Sequence, residues 1–131
     1  MKKKSFIWSC AAAIAAGVLV SFMPADSNMT KNGETTIVNT TDLGKSVKGF
    51  KGTTPVKIHI RKDKIVKVEP LKNQETPQFF QRAKVVLAKY EGKTVKKATD
   101  LKVDAVSGAT YSSKALIQNV QAGLKYFKNH Q

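Results

Sequence analysis

PVKIHIRKDKIVKVEP, residues 55–70, decides the fold. Val56, Ile58 and Ile60 alternate with Lys57, His59 and Arg61, a period of two that places three aliphatic side chains on one face of a strand. Lys62-Asp63-Lys64 makes a turn, and Ile65, Val66 and Val68 form a return strand that Pro70 closes. The reading is a hairpin with one apolar face, which needs a partner layer to cover it.

The partner layer follows in the chain. Glu75-Thr76-Pro77 opens a helix, with Thr76 as N-cap and Pro77 at the first helical position. Phe80, Ala83, Val86/Leu87 and Tyr90 recur at spacings of three and four, and Gly92 stops the helix. Phe79 and Phe80 are both assigned to the core. Lys102 to Val106 is expected to be a short extended segment, with Leu101, Val103 and Ala105 facing inward. A last helix is expected from about Ser113 to Phe127, with Ile117, Val120, Leu124 and Phe127 as its stripe. The fold class is α+β: a small, mainly antiparallel sheet packed on one face by two helices, preceded by an N-terminal signal or anchor helix.

On the other side of the hairpin, residues 26–45 are polar, rich in Ser, Thr and Asn, and read as a linker. The domain proper is expected over 46–131. Residues 1–25 form a leader: Lys2, Lys3 and Lys4 precede an uncharged run from Phe6 to Met23. A positive start followed by an apolar stretch is an export signature. The run exceeds a typical signal core and just reaches the length of a bilayer span, so signal peptide and membrane anchor both stay open. Either way, the lysines keep the N-terminal end in the cytoplasm and the body lies outside. Cys10 has only four apolar residues before it, too few for a lipidation signal.

Composition narrows the function. The chain has 131 residues, enough for one domain. Its 23 basic and 9 acidic residues give +14, which becomes +11 when the three leader lysines are set aside. Cys10 is the one cysteine, so the body has no disulfide, thiolate metal site or cysteine nucleophile.

The chemistry is carried by DAVSGATYSS, residues 104–113. An extended segment runs through a turn of small and hydroxyl residues into a helix N-terminus, whose amides and dipole favour an anion. Gly108 and Ala109 keep bulk away, so a phosphate can approach closely. Lys114 adds a cation where the dipole alone disfavours one. The competing local reading is that Ser107, Thr110, Ser112 and Ser113 only cap the helix and close a turn.

Asp104, Ser107, Gly108, Ala109 and Thr110 match without a gap the flavinylation motif of the FMN-binding domain family, an Asp, two variable residues, Ser or Thr, Gly, Ala, and an acceptor Thr or Ser. The chain resembles that family over roughly 46–127, including Gly52-Thr53-Thr54-Pro55, the KIVKVE strand and Glu75-Thr76-Pro77. The family includes FMN-carrying subunits of Rnf-type and sodium-translocating NADH:quinone oxidoreductases and small exported flavoproteins. The resemblance implies FMN joined to Thr110 by a phosphoester, installed from FAD by a Mg²⁺-dependent flavin transferase. It implies an electron carrier rather than an enzyme, working with membrane or extracytoplasmic redox partners. Ser107, Gly108, Ala109, Tyr111, Ser112 and Ser113 are the accompanying cofactor-site residues. Tyr111 either stacks on the flavin or packs on the sheet, and Asp104 either orients the loop or is read by the transferase. Covalent attachment suits an exported carrier: micromolar binding supplies only about 8 kcal/mol, and free flavin would be diluted away.

Two other readings stand beside it. A cationic module for anionic envelope surfaces is supported by charge, without an amphipathic basic helix to sharpen it. A flavin reductase would need an acid/base pair that the sequence does not offer. Nucleic-acid binding is disfavoured by the export leader and the lack of a motif.

Overall fold

A computed structural model describes residues 27–131; the expected leader over 1–25, with Cys10, lies outside the described residues. Four strands come first, β1 (Met29–Asn32), β2 (Thr35–Asn39), β3 (Val56–Arg61) and β4 (Lys64–Pro70). Helical segments α1 (Pro77–Ala83), α2 (Val85–Ala88), α3 (Val95–Asp100) and α4 (Thr110–His130) follow. The strands lie in chain order in one antiparallel sheet. The class is α+β.

The expected hairpin is β3–β4. Val56, Ile58 and Ile60 are buried, and Ile58 faces Val38 on one side and Val68 on the other. Ile60 pairs with Ile65 while His59 pairs with Lys67, so Val66 is an extra residue in β4. This bulge explains how Ile65 and Val68, three apart, share the buried face while Val66 is exposed. Lys62 and Asp63 both have positive φ, 52° and 61°, as a two-residue turn matched to the strand twist requires.

Residues 26–45 are not a tether. They contain β1 and β2, which complete the sheet, and Val38 is fully buried. The inward positions of this hairpin are Thr36, Val38 and Thr40. Two β-branched polar residues stand where aliphatics would have revealed the period. Thr40 Oγ1 donates to Asn119 Oδ1 at 2.8 Å and accepts from the Val56 amide at 2.9 Å, which satisfies its burial.

The helical layer is in four pieces rather than two. Thr76 and Pro77 start α1 as expected, although the Thr76 hydroxyl makes no capping bond. The helix breaks at Lys84, and α2 carries Val86 and Leu87 into the core. Gly92, at φ +85°, donates its amide to Ile65 O at 2.7 Å. Helix α3 was not expected; Thr94 caps it by accepting from the Lys97 amide, and only Val95 and Ala98 of it are buried. Lys102–Val106 joins no strand ladder, and Leu101, Val103 and Ala105 are half-buried between exposed Lys102 and Asp104, the alternation expected of this segment. Helix α4 begins at Thr110, three residues before the expected start, and lies against β2, β3 and the shorter helices. No helix among the described residues is long and apolar enough to cross a membrane.

Candidate functional site

The turn entering α4 is built by its own side chains. Ser113 Oγ accepts the Val106 amide at 2.9 Å and donates to Ala109 O at 2.7 Å. The Ala109 amide closes on Val106 O at 2.9 Å. Gly108 takes φ +84°, a conformation side chains rarely adopt. Ala109 is the N-cap and has no side-chain acceptor to offer the first-turn amides of α4, groups that otherwise lack intrahelical partners. Thr110, the first helical residue, is exposed.

Thr110 opens on a cleft of about 230 Å³, lined also by Phe50, Phe79, Gly108, Ala109, Tyr111 and Ser112. Its three aromatic walls are exposed, Phe50 by 60%, Phe79 by 37% and Tyr111 by 67%. The Phe50 and Tyr111 rings lie 6.3 Å apart, tilted by 32°. Large aromatics left in water around a small turn mark a surface that receives something flat and apolar.

Glu75 joins the walls. Its buried carboxylate accepts the amides of Phe50 at 2.7 Å, Lys51 at 2.6 Å and Gly52 at 3.1 Å, and the hydroxyl of Ser112. A side chain at Gly49 would collide with that carboxylate. Burial raises the carboxyl's pKa, but the Ser112 hydroxyl and the three amides outweigh it and hold the group below its ordinary 4.5. One residue thus fixes the Phe50 loop to the first turn of α4.

Of the expected site residues, the fold brings Gly108, Ala109, Thr110 and Tyr111 to the cleft. Ser112 lines it with its hydroxyl turned to Glu75, and Ser113 is buried in the turn. Ser107 is exposed on the turn outside the cleft lining. Asp104 lines a different, larger cleft of about 450 Å³, with Val85, Lys89, Lys93 and Lys102. Phe79 is a site wall rather than core, whereas Phe80 packs against the core as expected. Phe50 was missed, as was the role of Glu75; the available signal was an aromatic residue between Gly49 and Gly52, outside any apolar period. No histidine lines the cleft. His59 pairs with Glu69 at 3.2 Å, and His130 stacks on Tyr126 near the C-terminal end of α4. No cluster of metal-ligating side chains occurs among the described residues.

The model of the FMN-binding domain matches residues 49–125. The chain belongs to the FMN-binding domain family. A search of curated proteins finds no match. The matched segment takes in every residue of the aromatic cleft and leaves β1 and β2 outside. Family membership makes this a flavin-binding chain with FMN as its cofactor. The residues present fit that cofactor: an exposed hydroxyl, a glycine in the turn beside it, first-turn amides for a phosphate and aromatic faces for a planar ring system.

Proposed function

We propose that this FMN-binding domain is an exported electron carrier holding FMN in a phosphoester with Thr110 Oγ. The observation that carries the reading is the exposure of Thr110, matching the family's acceptor position, in a cleft walled by Phe50, Phe79 and Tyr111. Thr110 has no histidine base in its cleft, which agrees with an acceptor that another enzyme activates. The Thr110 hydroxyl would attack the FMN phosphorus of FAD in the active site of a Mg²⁺-dependent flavin transferase. The Oγ–P bond forms, the pyrophosphate P–O bond breaks, AMP leaves and the hydroxyl proton passes to the transferase.

FMN then supplies the redox chemistry. The chain's own part would be to position: Gly108 would leave room at the phosphate, first-turn amides would serve it, and Phe50, Phe79 and Tyr111 would hold the ring system. The leader supports an extracytoplasmic location at the membrane, with redox partners there.

The test is co-expression of the full chain with a flavin transferase. Flavin fluorescence is expected to survive denaturing electrophoresis in the wild type and to vanish in Thr110→Val, with unfolding midpoints that agree. A labelled Thr110→Val moves the attachment elsewhere. An unlabelled wild type returns the weight to the cationic surface module.

A further inference from the structure

Beside the proposed acceptor turn lies a cation that pairs with no side chain among the described residues. A methyl group built on Gly108 would stand 3.1 Å from Arg82 Nη1, so the guanidinium rests against the backbone two residues before Thr110. That separation is at most about 7.6 Å between Cα atoms. Arg82 is exposed, and its guanidinium takes part in none of the ion pairs or side-chain hydrogen bonds of the described residues. The nearby carboxylate of Glu75 is already committed to three amides and Ser112. Asp104 belongs to the other cleft.

A plain account exists: a basic residue in the last turn of α1 complements the helix dipole. Lysine would do that equally well, and this chain overwhelmingly uses lysine. Of its 23 basic residues only Arg61 and Arg82 are arginines. Arg61 has a carboxylate partner, Glu34, at 3.4 Å. Arginine differs from lysine in its planar fork, which meets two phosphate oxygens at once. Phe79 and Arg82 are three apart on α1 and so lie on one side of it; α1 presents an aromatic wall and a guanidinium together to the acceptor turn.

We infer that Arg82 is the counter-ion of the phosphodiester at Thr110, its guanidinium pairing with the two non-bridging oxygens while Phe79 flanks the ring system. This rests on the attachment proposed above. Gly108 then has a second use, since a side chain there would displace the guanidinium as well as strain the turn.

The experiment compares wild type, Arg82→Gln and Arg82→Lys as full chains, each prepared with and without transferase co-expression. The readouts are the rise in Tm on flavin loading and the ³¹P resonance of the diester. Without flavin, the three are expected to melt together. With flavin, Arg82→Gln is expected to lose more than half of the wild-type rise and to move the ³¹P signal, with Arg82→Lys between. A loaded Arg82→Gln that matches wild type, or a wild type whose Tm ignores loading, overturns the pairing and leaves the attachment standing. An Arg82→Gln that is stable yet never loaded assigns the residue to transferase contact and overturns the pairing too. A wild-type Thr110 that stays bare despite the transferase overturns the attachment, and the pairing with it.

Discussion

Glu75 is the residue on which the site's shape turns. Its carboxylate is the shared acceptor for three consecutive amides of one loop and a hydroxyl of α4. Bonds to a charged group are each worth about 1.5–3 kcal/mol, and orphaned donors add their own penalty. Glu75→Ala is therefore expected to lower unfolding stability by about 3 kcal/mol, measurable by urea titration, and to free the Phe50 loop. The same residue makes the domain acid-sensitive. Because its folded carboxyl is held below 4.5, its stabilisation is complete above about pH 4.5 and disappears as pH falls through the lowered folded value. Glu75→Gln should start less stable at pH 7 and lose less between pH 5 and pH 3. Equal losses in both proteins would show that this carboxylate does not govern the acid limb.

At the scale of elements, the close approach of α4 to the sheet depends on Gly123. A methyl group there would stand 2.6 Å from Ile58 Cδ1 and 2.9 Å from Thr40 Cγ2. Alanine would gain about 1 kcal/mol of helix propensity, but overpacking typically costs 1–3 kcal/mol, and both neighbours are buried. Gly123→Ala is expected to lower the unfolding midpoint; a higher one would mean that the helix can back away from the sheet. The elements differ in how openly they declare themselves. β3 and β4 were legible because isoleucine and valine occupy their inward positions. β2 was not, because Thr36 and Thr40 are buried through β-branched packing and, for Thr40, a hydrogen bond to Asn119; β1 was not, because it buries no residue fully. Helix α3 buries only two residues, too few to show a period. The turn entering α4 was legible as a motif because its residues are contiguous. Its aromatic walls come from positions 50, 79 and 111, and only folding brings them together.

Over the whole molecule, charge works against compactness. Nine acidic residues face 23 basic ones, and the ion pairs among the described residues involve only Glu34 and Glu69. Glu75 neutralises no lysine, since its partners are amides and a hydroxyl. The lysines therefore repel one another, and the folded state concentrates that repulsion. Salt shortens the screening length from about 30 Å at 0.01 M to about 8 Å at 0.15 M. The expected result is a Tm that rises with salt at pH 7, by about 4 °C if screening recovers about 1 kcal/mol. A fall in Tm over that range would mean that surface ion pairs outweigh the repulsion. At pH 3 the two electrostatic effects separate. Acid strengthens the repulsion by discharging carboxylates, and salt relieves that part. The hydrogen bonds centred on Glu75 lose their charged acceptor, which screening cannot restore. Salt should thus recover only part of the wild-type stability lost between pH 7 and pH 3, while in Glu75→Gln it should recover most of the smaller loss.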